Sequence, residues 1–465
     1  MKHIALCTLI INMLVFNLAA QQQDAAQQLT QTNRTVNYLI RDSIDNSGNL
    51  YIRAWSAHPS VFTFVNNDGS VTVCSSSVSS IMTYEEGGIS LTMLDTDEPS
   101  EMTYVYEYDS NLKEQKTFRF KNELEQLGAF TKDNEGNYYF FYAVKSTNKN
   151  TENMAMVKYN RKGEKINTYT LKAQAPSSFD GIRNPFDAGT CRLELAGSML
   201  AVYFAREMFS GHQASYGFVL DKDTFKRIDN GAATNAQKTG GNTQMPYVSH
   251  SFNQFILPID NGFVFVDHGD GYPRSFTFAK FQNGSSTKRQ HAFPFPGGTG
   301  MNATYAEMGG LAKTSSGYIF TGAYGTGKSL PRNLFILTFD EDLTSCSAPV
   351  YLTKYTQKDG HAGHPKIVKV DTDRYLILWE VFKFSTQSAN LVGWGPTDYL
   401  STYMLLIDEK GKVVSELHAE PQELKGIRLN INDTLRYNPH NGKVYWAIND
   451  SNTSIKIYAL LAKDE

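Results

Sequence analysis

Cysteine is scarce in this chain, four residues in 465, and one of them, Cys7, lies inside an apolar N-terminal stretch. The other three, Cys74, Cys191 and Cys346, are odd in number and widely separated, which gives no disulfide framework. A chain of this length buries enough core without staples, so they read first as small buried or edge residues, with one long-range bridge as the alternative. An excess of charge of one sign is also missing. The 44 basic and 47 acidic residues leave a net charge of −3 with no basic block, which disfavours a nucleic-acid partner, since that needs a positive stripe against phosphates. Beyond the first twenty residues no run approaches the ~20 apolar residues that span a bilayer. Two local hydrolase signatures are absent as well: there is no Gly-x-Ser-x-Gly elbow and no His-Glu-x-x-His helix.

The N-terminus carries the one long apolar stretch. Lys2 and His3 precede an apolar segment from Ile4 to Phe16, and small residues Ala19 and Ala20 stand before Gln21. This order reads as a secretory signal peptide over residues 1–20, cleaved after Ala20. The expected location is extracellular, or periplasmic in a Gram-negative host. The C-terminal Ala-Lys-Asp-Glu is one residue short of a retention signal. Residues 21–34 are Gln-rich, lack apolar periodicity and read as a flexible lead-in, with one folded domain expected over 35–465.

What is abundant is a unit of about 50 residues that pairs two strand-like runs across a polar turn, a period that marks repeat architectures. The first turns read in series as Asp45–Gly48, Glu85–Gly88, Asp133–Gly136, Ala196–Ser198, Asp260–Gly262, Ser315–Gly317, Asp371–Asp373 and Asn438–Gly442. Aromatic or β-branched runs such as YYFFYAV, FVFVD and YLILWE follow them. A second series of turns, in FTFVNNDGSVTV, MVKYNRKGEKINTY and YMLLIDEKGKVVSEL among others, joins an outer pair of strands with the period-two alternation of a half-wet sheet. Aromatics at 12% suit pleated surfaces. Eight first turns against seven second turns favour eight units, with seven as the alternative.

In these turns and runs the chain resembles the β-propeller superfamily over residues 35–463. The resemblance implies an all-β, single closed ring of four-stranded antiparallel blades. It implies no activity, because the Trp-Asp endings, kelch glycine pairs and regular Asp boxes of particular propeller families are not repeated here. Asn67-Asp68-Gly69-Ser70 faintly resembles one Asp box.

Two motifs invite chemistry and lack its context. Gly322–Ser329 matches the P-loop pattern, but Leu330-Pro331-Arg332-Asn333 leads into another strand rather than the helix that would cradle phosphates. His361 and His364, with Asp359 nearby, have no third ligand at a known spacing and read as an ordinary loop between blades. No cofactor and no metal is expected. Six sequons, at Asn33, Asn283, Asn302, Asn432, Asn449 and Asn452, are compatible with glycosylation in a eukaryotic host.

The repeat itself supplies the functional argument. Loops leaving the second strands all emerge on one face of such a ring, and sites favour loops held by a rigid scaffold. The candidate ligand-binding residues there are Arg53, Trp55, Arg206, Glu207, Asp267, His268, Arg274, Glu380 and Trp394. Trp394 lies in the longest such loop, Phe382 to Ser401. Rings that stack on sugars, beside carboxylates and arginines that fix hydroxyls or charges, point to an extracellular glycan or protein partner. The alternative is a glycan-active enzyme using two carboxylates drawn from Glu207, Asp267 and Glu380.

Overall fold

The computed structural model describes residues 29–462 except 37–38, 41–60, 79, 86–87, 94–101, 177, 179, 187–188, 230–246, 272–273, 287–289, 299, 301–303, 328–329, 385–398, 415–420, 431–432 and 452. Strand and turn account for all of its regular structure, and no helix occurs among the described residues. The turns explain the local order. At Asp133–Asn137 and Asn160–Glu164 the Gly136 and Gly163 amides donate back to Asp133 and Asn160 at 3.0 and 2.9 Å. Both glycines have φ near +84°, a conformation that costs them little and forces the tight reversal of a hairpin.

These hairpins build a seven-bladed β-propeller. Blade I is Val61–Val65, Val71–Val78, Met102–Tyr108 and Glu114–Lys121. Blade II is Gln126–Lys132, Tyr138–Ala143, Glu152–Tyr159 and Lys165–Lys172. Blade III is Cys191–Ala196, Met199–Glu207 and Gln213–Asp221, with its outer position reduced to a bridge between Leu220 and Arg227. Blade IV is Ser251–Ile259, Gly262–Asp270, Arg274–Gln282 and Gln290–Ala292. Blade V is Ala306–Lys313, Gly317–Tyr324, Asn333–Asp340 and Val350–Tyr351. Blade VI is His361–Lys369, Arg374–Phe382, Tyr399–Asp408 and Gln422–Leu424. Blade VII is Arg436–Asn438, Lys443–Ser451 and Ser454–Leu461, completed by Leu29–Thr35 from the other end of the chain.

The expected eight blades are therefore seven. Asn66–Ser70, expected to be an outer turn, is the inner turn of blade I, where it joins Val61–Val65 to Val71–Val78. The turn at Glu85–Gly88 belongs to a separate two-stranded hairpin, Ser80–Glu85 with Gly88–Met93, placed between the second and third strands of that blade. The turn at Asp45–Gly48 lies outside the described residues. An expected outer turn, Asn66–Ser70, and an expected first turn, Glu85–Gly88, thus fall within one blade.

Leu29–Thr35 falls largely within the stretch expected to be a flexible lead-in. It is a strand because its place is the outermost one, where only alternate side chains need cover. A polar sequence rich in Thr satisfies that position. Arg34 seals it against blade I, with its guanidinium 3.9 Å from the Tyr106 ring centroid and an ion pair to Glu114.

No continuous hydrogen-bonded sheet runs from blade to blade; packing joins them. The first strands of neighbouring blades touch all the way round, from blade I through blade VII and back to Val61–Val65. Buried aromatics fill the spaces between sheets. Tyr138–Ala143 is buried at every residue, and Phe141 meets Phe186, Phe204 and Phe218 of the neighbouring unit at ring separations of 5.6–5.8 Å. At the axis the first strands meet through ion pairs. Arg436 of blade VII reaches across to Glu194 of blade III with two hydrogen bonds of 2.8 and 3.2 Å. Lys366 of blade VI donates to the Asp433 carbonyl at 2.8 Å, and the Asp433 carboxylate accepts from the Thr63 amide of blade I at 2.7 Å. Cys74, Cys191 and Cys346 are free thiols. No helix of the described residues is long and apolar enough to cross a membrane.

Candidate functional site

On the face where second strands end, the first strands of blades V and VI are each interrupted. Their pairing shifts between Met308 and Gly310 and between Gly363 and Lys366. Such bulges re-aim side chains. His364 takes a left-handed φ of 49°, strained for a non-glycine residue, directly before Pro365. The result is a contact between blades, in which the His364 amide donates to Glu307 Oε2 at 2.6 Å while its Nδ1 lies 2.5 Å from Glu380 Oε2.

Both carboxylates are also held by arginine. Arg332 pairs with Glu307 Oε1. Arg428, in the segment leading to blade VII, donates from Nε to Glu380 Oε1 at 2.8 Å, and the Leu429 amide donates to the same oxygen at 2.8 Å. Arg428 is itself stacked over the Tyr399 ring at 4.3 Å. Burial acts to raise the pKa of Glu380, but Arg428 and His364 outweigh it and hold the carboxyl down at about 2. Glu307 follows the same pattern, with burial opposed by Arg332 and His364 and a net lowering. Both are ionised at neutral pH.

Two neutral imidazoles border this pair. Burial, reinforced by Arg332, pushes His361 down to about 3. It is 1% exposed, and neither ring nitrogen has a hydrogen-bond partner among the described residues. His268, also lowered to about 3 chiefly by burial, has Nε2 2.8 Å from Thr304 Oγ1 and lies within electrostatic reach of Glu307, Arg274 and Arg332. Arg274 forms an ion pair with Asp270.

The structure thus brings Glu380 into one cluster, with His268 and Arg274 on its blade IV side, and sends the other expected residues elsewhere. Asp267 faces blade III, where it accepts a hydrogen bond from Tyr203 at 2.6 Å, and it accepts another from Ser251 of its own blade at 2.9 Å. Burial raises its pKa to about 7 against those hydroxyls. Glu207 pairs with Arg183 at 3.2 Å, and Arg206 donates to the Gly181 carbonyl. Arg53, Trp55 and Trp394 lie outside the described residues.

Arg428 was missed, because it comes from an inter-blade segment, to which a search of second-strand loops is blind; Tyr399 falls within the stretch expected as the loop Phe382 to Ser401 and opens the third strand instead. His361 and His364 belong to the first strand of blade VI rather than to a loop. Among the described residues no three His, Cys, Asp or Glu side chains come together as a metal set. Of the P-loop-like stretch, residues 322–324 end the strand Gly317–Tyr324 and residues 326–327 form a bend, residues 328–329 lie outside the described residues, and the strand Asn333–Asp340 follows.

No protein-family model matches the chain, and no curated protein matches it. Solved structures do resemble it. One is a protein of unknown function from Dyadobacter fermentans, 8% identical with a TM-score of 0.40, covering 80% of this chain and 98% of that one. Another is the Trypanosoma rangeli sialidase, 10% identical with a TM-score of 0.40, covering 76% of this chain and 56% of that one. A third is a neuraminidase-like protein of A/little yellow-shouldered bat/Guatemala, 10% identical with a TM-score of 0.39, covering 75% and 95%.

Proposed function

We propose that this chain is a non-enzymatic binding propeller that takes a polyhydroxylated ligand, an extracellular glycan, at the junction of blades V and VI. The observation that carries the reading is His361. A buried imidazole with both nitrogens unpartnered is costly, on the order of 1–3 kcal/mol for each unsatisfied group, and one ligand hydroxyl can donate to the bare nitrogen while a second accepts from the ring N–H. Beside it stand carboxylates and arginines already locked by one another, a preorganised polar wall of the sort that orients ligands. Residues 1–20, read as an export signal, place this activity outside the cytoplasm in the same proposal.

A hydrolase would need one carboxyl protonated at working pH as the acid. Glu307 and Glu380 are both held ionised. Asp267, the carboxyl raised to about 7, is fully buried against Tyr203 and Ser251. The geometry therefore favours binding over turnover.

The test is a glycan array probed with the chain from Gln21 onward and with His361→Leu, which removes both nitrogens without breaking a protein hydrogen bond. Selective capture by the parent, weakened about tenfold or more in the variant, is the expected result. Silence across the array removes the glycan and leaves a protein partner. Hydrolysis of fluorogenic glycosides that Glu380→Gln abolishes would install the enzyme reading instead.

A further inference from the structure

The most exceptional charged group outside the Glu307–Glu380 cluster is Arg206, at the end of the second strand of blade III. Other well-buried arginines face a carboxylate: Arg332 meets Glu307, Arg274 meets Asp270, Arg436 meets Glu194, and Arg192 lies against Asp433 and Glu194. Arg206 is 0% exposed and forms no ion pair among the described residues. Its Nη1 donates to the Gly181 carbonyl at 2.6 Å, and its guanidinium lies 5.3 Å from the centroid of the Tyr216 ring. Its Nε and Nη2 have no hydrogen-bond partner among the described residues.

The pattern of what is satisfied and what is not is informative. A guanidinium offers two forks, and the Nε–Nη2 edge is one that receives a carboxylate through two parallel hydrogen bonds. Here that edge is the empty one, while the opposite nitrogen is tied down and the plane is steadied by an aromatic ring. Gly181 brings its carbonyl close through a φ of +72°, and a Cβ there would stand 2.9 Å from both the Ala173 carbonyl and Phe209. Asp180, the nearest carboxylate with an electrostatic influence, is already engaged by Lys149 at 2.9 Å and by the Ser210 amide at 2.7 Å.

We propose that the Nε–Nη2 edge of Arg206 is a binding site for a carboxylate, independent of the glycan reading above. Burial lowers the Arg206 pKa to about 10, which leaves the group cationic at neutral pH. A buried cation without a counter-charge is unfavourable, so the site and its anion stabilise each other. Because the guanidinium is enclosed, uptake requires local opening and equilibrates slowly.

The experiment is a thermal-melt titration of the full mature chain with sodium acetate, after long incubation, against sodium chloride and sodium sulfate at equal ionic strength. A saturable rise in Tm with acetate, absent with chloride, is expected. Arg206→Met, which removes the buried charge, should melt at the same temperature with and without acetate. Arg206→Lys, which keeps charge and loses the fork, should weaken the acetate Kd by about tenfold or more. A response to sulfate alone would overturn the carboxylate assignment. An unsaturable acetate effect, or one unchanged in Arg206→Met, would overturn the site; should Arg206→Met fail to fold, an acetate Kd unchanged in Arg206→Lys does the same.

Discussion

A carboxyl held partly protonated in a protein interior makes stability depend on pH in a direction opposite to that of most acids. Asp267 is raised from 3.8 to about 7 by burial, with Tyr203 and Ser251 working against the rise. The folded state keeps a proton that the unfolded chain has lost between pH 4 and 7, so stability falls as pH rises through that window. Asp267→Asn should flatten the fall, giving urea midpoints close to the parent at pH 4 and higher at pH 8, where the unfolding free energies differ by a few kcal/mol. An unchanged difference between the two pH values would show Asp267 to be ionised throughout. The same residue marks the limit of reading function from sequence. It shares a strand end with His268, one position along, yet the alternation of a strand sends the two side chains to opposite faces. Composition and turn spacing carry no information about which of the two meets the cluster and which packs against Tyr203.

At the scale of elements, the strands and most inner turns were legible because each turn has a chemical signature and each second strand a dense apolar run. The bulges were not. Gly309 and Gly310 in blade V and Gly363 and His364 in blade VI read as parts of loops between blades, although they lie in first strands and rotate Glu307 and His364 toward one another. Gly309 shows how tightly this is set: a Cβ there would stand 2.6 Å from Thr321 Cγ2 and 2.8 Å from the Pro365 carbonyl. Gly309→Ala should cost about 1–3 kcal/mol by overpacking and should weaken ligand capture through displacement of the neighbouring His364. Full capture by a destabilised Gly309→Ala would separate the bulge from the site. Blade number failed for a related reason, since a hairpin inserted within blade I carries the same turn letters as a blade.

For the whole molecule, the two ends of the chain meet in one sheet, with Leu29 opposite Leu460 and Thr35 opposite Ser454. An antiparallel neighbour of this kind needs only a hairpin turn to become continuous. A circular permutant that joins Ala462 to Leu29 through a short turn and opens the exposed tip between Arg161 and Lys162 should fold with a Tm within a few degrees of the parent. Deletion of residues 29–35 should instead lower Tm and produce oligomers through the uncovered edge of Ser454–Leu461, seen by size-exclusion chromatography. A monomeric, equally stable deletion would assign closure to the axial ion pairs alone. The shared blade also imposes a schedule. At about 5–20 residues per second, Ser454–Leu461 is made roughly 20 to 80 seconds after its partner. Throughout that interval a nascent chain holds an orphan strand beside blades already complete, so a ribosome stalled before residue 454 would release a molecule with six finished sheets and no ring.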